Sequence, residues 1–407
     1  MSRIDELIAE LCPDGVEFKP VGEVTSKSSN IKWADAGDDE FQYIDLSSVD
    51  RVTRRIGETT SITAGNAPSR AQQIVHTDDV IFATTRPAQM RWAVIPAEYD
   101  GQIASTGYCV LRPDTSIVLT NFLAHILGAD AFRRYIEANQ VAGNYPSIPD
   151  NRVRAYRIPV PPIEVQREIV RVLDQFTQLE AELEAELEAR RRQYEHYRGE
   201  LLAFSLDEVE TVELSEAFET RNGYTPSKSD PTNWLNGTVP WFRMEDIREN
   251  GRVLDRALQR IPAKAVKGGR LFPAGSLIFA TSATIGEHAL ITVPFMSNQR
   301  FTAVWPKAEY ADRFDMKFLY YYGFVIDEWC RNNTTTSSFA SVDMSGFKRL
   351  RIPIPPIETQ GRIASQLSHF DALVNDLSVG LPAELAARRR QYEYYRDKLL
   401  TFKELAA

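Results

Sequence analysis

A long internal repeat constrains this chain more than any other feature of its sequence. Residues 157–176 read RIPVPPIEVQREIVRVLDQF, and residues 351–370 read RIPIPPIETQGRIASQLSHF. Residues 190–204, RRRQYEHYRGELLAF, return at 388–402 as RRRQYEYYRDKLLTF. The first two segments lie 194 positions apart and the second two lie 198 apart, so the second copy holds four extra residues. Solenoid repeats recur about every 20–50 residues, and this longer period indicates the duplication of a large unit.

Each copy of the repeat predicts a long helix that follows a proline-rich segment. The prolines favour extended backbone, and the last of them suits the first turn of a helix. Apolar residues then recur at steps of three and four, which is typical of a coiled-coil seam. The first helix should run over 163–204. The second should break near 380–382, where Gly380 suits a helix end and Pro382 suits a new first turn.

Neither helix can bury its apolar stripe alone, so we expect the two to pack against each other, antiparallel, as a pseudo-two-fold pair. The predicted seam consists of Leu173, Phe176, Leu179, Leu183, Leu187, Leu367, Phe370, Leu373, Leu377 and Leu385.

The segments outside the helices predict two globular domains. Ile81-Phe-Ala-Thr84 matches Ile278-Phe-Ala-Thr281 as a buried strand that leads into a polar turn. Such short strands mix with helical patterns near 120–138 and 314–331, which predicts the α+β class. The predicted division is a first domain over 1–156, a helical spacer over 157–204, a second domain over 205–350 and a second spacer over 351–407. The fold class is thus two α+β domains alternating with two long antiparallel coiled-coil helices.

Composition excludes several classes of protein. The three cysteines, Cys12, Cys109 and Cys330, are few and scattered, which argues against a disulfide framework or a zinc cluster and favours a reducing cytoplasm. No apolar run is long enough to span a bilayer. There is no GxxxxGK[ST] or GxGxxG motif, and the five histidines stand singly. The sequence therefore predicts a chain that is not itself an enzyme and binds no metal or cofactor.

What remains is a set of polar and basic residues suited to DNA. Arginine and lysine position a protein on phosphates, while arginine, asparagine and glutamine read base edges in the major groove. These residues concentrate in one half of each domain, although the formal net charge is −9. The candidates are Lys27, Lys32, Arg51, Arg54, Arg55, Arg70, Thr85, Arg86, Gln89, Arg91, Arg221, Tyr224, Ser227, Lys228, Arg243, Lys264, Lys267, Arg270, Ser282, Thr284, Asn298, Gln299 and Arg300.

The repeated IPxPPIExQ and RRRQYExYRxxLLxF segments resemble the specificity (S) subunit of type I restriction–modification enzymes. Further resemblance lies in Leu11-Cys-Pro-Asp-Gly-Val-Glu17 and in Gly380-Leu-Pro-Ala-Glu384. The resemblance implies that each domain is a target-recognition domain for one half of a split double-stranded DNA target, and that the helices set the spacing. It also implies a bacterial or archaeal cytoplasmic complex for phage defence.

The resemblance also implies the partners. The helices would dock two methyltransferase subunits, which carry S-adenosylmethionine, and two restriction subunits that use ATP and Mg²⁺ would join them. No membrane is implied. Base-contacting positions do not follow from the family, because such domains diverge in sequence.

Other interpretations stay open at this point. The chain could serve a related defence system, or a methyltransferase that has no nuclease. From a different class, the long helices could form a scaffold whose domains bind protein. The acidic net charge slightly favours this scaffold, but the polar and basic clusters that recur after the matching Ile-Phe-Ala-Thr strands disfavour it. The DNA target, its spacer length and the domain that reads each half do not follow from the sequence.

Overall fold

The computed structural model describes residues 3–205, 209–335, 340–376 and 379–405. The helices are α1 (Arg3–Leu11), α2 (Thr120–Gly128), α3 (Asp130–Asn139), α4 (Asp150–Arg154), α5 (Ile163–Leu202), α6 (Leu214–Ala217), α7 (Met244–Asn250), α8 (Met316–Asn332), α9 (Met344–Lys348), α10 (Ile357–Asn375) and α11 (Leu381–Leu399).

The strands fall into two groups. Before α5 they are β1 (Glu17–Pro20), β2 (Thr25–Ser26), β3 (Phe41–Ile44), β4 (Thr60–Ile62), β5 (Ala71–Ile74), β6 (Val80–Ala83), β7 (Trp92–Val94), β8 (Ile103–Ser105), β9 (Tyr108–Pro113) and β10 (Arg157–Val160). After α5 they are β11 (Thr211–Glu213), β12 (Phe218–Asn222), β13 (Val239–Phe242), β14 (Val253–Leu254), β15 (Arg260–Ile261), β16 (Ser276–Ala280), β17 (His288–Ile291), β18 (Met296–Ser297), β19 (Phe301–Pro306), β20 (Thr334–Thr335), β21 (Ser341–Val342) and β22 (Arg351–Pro353).

The chain divides into two compact units. Unit 1 comprises Met1–Ala185 with Glu384–Ala407, and unit 2 comprises Glu186–Ala383. Each unit thus joins one α+β domain to part of α5 and to one later helical segment. We call the segment from β1 to β10 domain 1 and the segment from β11 to β22 domain 2. The four-part division made from the sequence stays a prediction.

Two four-stranded sheets make up most of domain 1. One is antiparallel in the order β2-β9-β6-β7, and the other has the order β4-β3-β8-β5 with β3 and β8 parallel. Strand β6 is apolar throughout because both of its faces are buried. Val80 and Phe82 pack in the core with α2 and α3, whereas Ile81 and Ala83 pack in the core with β3, β8 and β9. The helical pattern near 120–138 is two helices, which the extended backbone of Ala129 (ψ 152°) separates.

In the helical part of unit 1, α11 packs antiparallel to the first half of α5. The rings of Phe176 and Tyr395 stack with centroids 5.5 Å apart. Arg389 donates to Glu180 at 2.6 Å and also to Glu184. Ile4 of α1 and Leu400, just after α11, lie in the same core cluster, so the two ends of the chain meet in this unit.

Domain 2 repeats the main sheet with different side chains. Its strand order is β12-β19-β16-β17-β14, so that β12, β19, β16 and β17 take the places of β2, β9, β6 and β7. A second sheet has the order β15-β13-β18. Helix α8 begins after Asp315, whose carboxylate accepts the backbone N–H groups of Lys317 and Phe318.

In the helical part of unit 2, α10 packs antiparallel to the second half of α5. The rings of Tyr197 and Phe370 stack at 5.9 Å, at the positions that correspond by the repeat to Tyr395 and Phe176. Arg191, the counterpart of Arg389, donates to the carbonyl of Val374 at 3.4 Å. The α+β class, the internal repeat and the long antiparallel helices are confirmed.

The structure corrects two of the predicted seam residues. Leu173, Leu187, Leu367 and Leu385 are buried, and Phe176, Leu183 and Phe370 are partly buried. Leu179 and Leu373 are instead 51% and 37% exposed, while Val374 is fully buried. The physical reason is the spacing, because each of the two lies six residues after a buried leucine, Leu173 or Leu367. At 3.6 residues per turn, six residues fall about 120° short of two full turns, so the side chain points away from the buried face. Leu377 lies outside the described residues.

The second helical spacer is interrupted. Helix α10 ends at Asn375 and α11 begins at Leu381, with Pro382 in the first turn of the new helix. Gly380 has a φ of +84°, and a Cβ there would lie 2.6 Å from the carbonyl oxygen of Leu373. This backbone conformation and this close approach both require glycine.

Candidate nucleic-acid interface

The turn that follows β6 collects four of the predicted DNA-binding residues of domain 1. Thr85, Arg86, Gln89 and Arg91 lie on the segment between β6 and β7. Arg86 has a left-handed backbone with φ +50°, which is unfavourable for any residue other than glycine. Residues held in such a conformation cluster at functional sites. Arg86 and Gln89 are exposed, and Thr85 and Arg91 are partly buried.

A second loop, which covers residues 140–148, holds this turn in place. The backbone N–H of Arg86 donates to the carbonyl of Pro146 at 2.7 Å, and that of Ile148 donates to the carbonyl of Thr84 at 2.9 Å. Tyr145 of this loop lies against the guanidinium of Arg86, which is 5.2 Å from the centroid of the ring. Tyr145 was missed at the sequence level, because nothing in its surroundings links it to a residue so far back in the chain.

Domain 2 has a turn at the matching place, after β16. Ala283 also has a left-handed backbone, with φ +68°, at the position that corresponds to Arg86. The backbone N–H of Val342 donates to the carbonyl of Thr281 at 3.0 Å, and Ser282 pairs with Ser341 as an isolated bridge. The hydroxyl of Thr284 is buried and has no hydrogen-bond partner among the described residues. The two domains therefore share a backbone arrangement here but differ in its side chains.

The loop over residues 50–55 of domain 1 carries three more candidates. Asp50 accepts the backbone N–H groups of Val52 and Thr53 at 2.8 and 2.7 Å, and these bonds lower its pKa below the ordinary value. Arg54 donates to the carbonyl of Met90, and its guanidinium lies 5.3 Å from the Trp92 ring. Burial, together with nearby arginines, lowers the pKa of Arg54 to about 10. Arg54 is therefore a structural tie between this loop and the β6–β7 turn.

Arg51 and Arg55 border a cleft of about 710 Å³ within unit 1. Loop 50–55 forms one side of the cleft, and α5 and α11 form another. Its arginines are Arg51, Arg54, Arg55, Arg389 and Arg396, and its carboxylates belong to Asp174, Glu180, Glu184 and Glu393. Because the carboxylates nearly balance the arginines, the cleft lacks the one-sided positive charge that favours phosphates.

The floor of this cleft contains a buried histidine that joins three helices of unit 1. His125 of α2 is hydrogen-bonded through Nε2 to Asp174 of α5 and through Nδ1 to the Tyr392 hydroxyl of α11, both at 2.9 Å. Burial raises the pKa of Asp174, but the bonds from His125 and Asn121 lower it more, so that the net shift is downward. In unit 2 the corresponding contact joins Tyr321 to Ser368 at 3.1 Å. In each unit, this contact joins the α+β domain to the long helices of the same unit.

The remaining candidates of domain 1, Lys27, Lys32 and Arg70, are exposed. Lys27 follows β2, Lys32 precedes a short turn of helix at Trp33–Asp35, and Arg70 precedes β5. None of the described hydrogen bonds or ion pairs links their side chains to the β6–β7 turn, so the structure does not bring them into one cluster with Arg86.

In domain 2 the structure brings together a group of loops. The backbone N–H of Tyr224 donates to the carbonyl of Ser297 at 2.8 Å, and its hydroxyl accepts the backbone N–H of Lys267 at 3.0 Å. Lys264 donates to the hydroxyl of Thr232 at 2.6 Å. Gln299 accepts a hydrogen bond from Thr225. Ser227 and Lys228 are exposed on the loop that follows Tyr224, and Arg300 is exposed beside Gln299.

Three other candidates of domain 2 make contacts within the domain itself. Arg221 stacks on Phe272 at 4.1 Å and donates to the carbonyl of Arg270, and burial and Arg270 lower its pKa. Arg243 caps α7 through its backbone, which donates to Asp246 at 2.6 Å. Asn298 accepts the backbone N–H of Arg300 at 3.0 Å. Arg270 itself is exposed.

The described ranges show no group of three histidine, cysteine, aspartate or glutamate side chains placed to hold a metal ion. In the same part of the chain, no helix is long and apolar enough to cross a membrane.

Comparisons with known proteins agree with the architecture. The family model described as the type I restriction modification DNA specificity domain matches the chain twice, over residues 13–189 and 207–387. The EcoR124I/EcoR124II specificity subunit of Escherichia coli is 32% identical over 420 residues, which cover 99% of this chain and 97% of that protein. The EcoprrI specificity subunit of Escherichia coli is 57% identical over 204 residues, but this match spans only 51% of its length and 48% of this chain.

Solved structures have the same fold. A chain from a study of complex assembly and conformational transition in the type I R-M system aligns with a TM-score of 0.68 at 24% identity, covering 96% of this chain and 98% of that one. The HsdS subunit from Thermoanaerobacter tengcongensis aligns with a TM-score of 0.50 at 25% identity, covering 96% and 97% of the two chains. With two matches to the family model and a relative similar over its whole length, the chain belongs to the specificity subunits of type I restriction–modification enzymes, which recognise DNA sequence.

Proposed function

We propose that each domain of this chain reads one half of a bipartite double-stranded DNA target. The observation that carries this proposal is the pair of equivalent turns after β6 and β16. Both turns have a left-handed residue that is not glycine, Arg86 in one and Ala283 in the other. A matched left-handed position that carries different side chains suits two readers of different short sequences, because base contacts specify and phosphate contacts only position.

The helices set the distance between the two half-sites and dock two methyltransferase subunits. Support comes from Leu179 and Leu373, which correspond to each other by the repeat and are both exposed. Exposed apolar side chains at matched positions fit two copies of one partner better than two unrelated partners. The solved relative from the study of type I complex assembly supports an assembly with partner subunits.

The chain itself is non-catalytic and binds no cofactor. The methyltransferase subunits carry S-adenosylmethionine, and two restriction subunits with ATP and Mg²⁺ complete a nuclease complex in the cytoplasm of a bacterium or archaeon. A net charge of −9 fits this division of labour, because affinity for DNA grows with the number of phosphates neutralised. The partners would then supply much of the positive surface.

The test is to express the chain with its methyltransferase subunit in cells that lack other adenine methylation, and to sequence the methylated adenines. The expected result is one motif made of two short specific segments separated by a fixed number of unspecified bases. The methyltransferase expressed without this chain is the control and should leave the genome unmethylated. A single uninterrupted motif, or methylation that does not require the chain, would contradict the proposal.

A further inference from the structure

Arg86 and its counterpart in domain 2, Ala283, both have a strained backbone conformation. Its φ of +50° and the φ of +68° at Ala283 are unfavourable for either residue, and glycine would remove the cost. Neither domain has glycine there. The fold therefore keeps a left-handed residue at this position in both domains, with a different side chain in each.

The turn around Arg86 is fixed at several points. Its backbone N–H donates to Pro146, Ile148 donates to Thr84, and Thr85 pairs with Ser147 as an isolated bridge. A side chain on such a support loses little backbone entropy when it binds a ligand.

The Arg86 side chain is also oriented before any ligand arrives. Tyr145 is 71% exposed, which is unusual for so large an aromatic side chain, and its ring lies 5.2 Å from the guanidinium carbon. Contact with an aromatic face orients a guanidinium while its N–H groups stay free to donate. Within the described ranges, no carboxylate forms an ion pair with Arg86, so its planar donors face solvent.

The chemistry of the ligand follows from that arrangement. A planar guanidinium donates two parallel hydrogen bonds, and in the major groove the matching pair of acceptors is O6 and N7 of guanine. A phosphate would accept the same bonds, but both half-sites carry phosphates, whereas the corresponding residue of domain 2 is Ala283. A side chain that differs between matched positions suits the reading of a base.

We propose that Arg86, oriented by Tyr145, reads a guanine in the half-site bound by domain 1. Here Arg86 is a specificity-determining residue and Tyr145 is a positioning residue. The inference rests on the proposed function, because it requires that domain 1 read a half-site.

The experiment uses the chain assembled with its methyltransferase subunits and duplexes that carry every single base-pair change in both half-sites. Arg86→Gly removes the guanidinium and suits the left-handed backbone, so the variant should fold. Discrimination at one G·C pair of one half-site should fall about tenfold to a hundredfold, the range for loss of a bidentate base contact. The other half-site should be read as before.

Tyr145 gives an independent measurement. Tyr145→Ala should weaken discrimination at the same base pair. Tyr145→Phe should keep the discrimination of the wild type, because the ring rather than the hydroxyl orients Arg86. Tyr394→Ala is the matched control, since Tyr394 is 63% exposed on α11 and its described ring contact is with Tyr395. If Tyr394→Ala alters the assembly of the complex, the affinity for all duplexes should change by the same factor. The ratios of affinity between duplexes should then stay unchanged.

The outcomes separate this inference from the proposed function. A wild-type complex that binds every duplex equally would refute the proposed function and the inference with it. A selective wild type whose selectivity survives Arg86→Gly would refute only the role of Arg86. Loss of discrimination at an A·T pair, or a uniform loss of affinity with unchanged ratios, would show that Arg86 contacts something other than guanine.

Discussion

A buried glutamine in each copy of the repeat explains part of the IPxPPIExQ motif. The side chain of Gln166 accepts the backbone N–H of Leu119 at 2.9 Å and donates to the carbonyls of Ile117 and Pro161, both at 2.8 Å. The side chain of Gln360 makes the three corresponding bonds in unit 2. Each glutamine thus ties the first turn of a long helix to the segment that enters α2 or α8.

Replacing this glutamine tests its structural role. Gln166→Ala would remove the hydrogen-bond partner of the Leu119 N–H and of the Ile117 and Pro161 carbonyls, which are buried or partly buried, so the free energy of unfolding should fall by about 2–4 kcal/mol. Gln178→Ala is the matched control, because Gln178 lies on the same helix, is exposed and bonds only Glu182. It should change stability by less than about 0.5 kcal/mol. Chemical denaturation of both variants measures the difference, and equal stabilities would refute this role.

The sequence showed that Gln166 and Gln360 repeat, but not what they do. A glutamine in the first turn of a helix is ordinarily solvated, and two of its three partners lie almost 50 positions earlier in the chain. Arg86 could be predicted as a candidate because an arginine that follows a buried strand is suited to bind DNA whatever its neighbours are. Tyr145 was not found, since its role depends on a loop contact that no local pattern encodes.

At the level of elements, the long helices could be predicted from the sequence, but the side-chain contacts between them could not. Proline placement and the apolar stripe fixed where α5 and α10 begin. The arginine runs at 190–192 and 388–390 are identical in sequence, but the structure gives their members different contacts. Arg389 bonds two glutamates of α5, whereas the bond described for its counterpart Arg191 is to a carbonyl of α10. The difference arises because Val374 occupies the position that corresponds to Glu180 in the first copy. The sequence of one helix alone does not reveal this difference, because it depends on the residue of the facing helix.

The exposed leucines provide a test at this scale. Leu179→Asp together with Leu373→Asp places charges on surfaces that α5 and α10 leave open, so the isolated chain should keep its helical content. Binding of the methyltransferase subunits should weaken at least tenfold, because a carboxylate would be buried at each interface. Each single variant should lose one of two bound subunits. Mass measurement of the complexes in solution reports the number bound, and full assembly of the double variant would contradict this docking surface.

At the scale of the whole molecule, each domain is closed where it joins the helices. In domain 1, β1 pairs antiparallel with β10, and in domain 2, β11 pairs with β22 in the same way. The first and last strands of a domain therefore lie side by side. The repeat predicted that two domains exist, but the short strands that close them are too brief for periodicity to reveal.

This closure predicts that domain 2 can be exchanged as a cassette. Residues 214–350 lie between β11 and β22, so replacing them with the corresponding segment of a relative keeps both closing strands, α5 and α10. The hybrid should assemble with the methyltransferase subunits and methylate a motif in which only one half is new, with the spacer length unchanged. Exchange of a segment of similar length that cuts through β16 is the control and should fail to fold, because it divides a sheet whose members must pair. Sequencing of methylated adenines checks the result. A hybrid that changes both halves would mean that the two domains do not read DNA independently, and the assignment of one half-site to each would have to be abandoned.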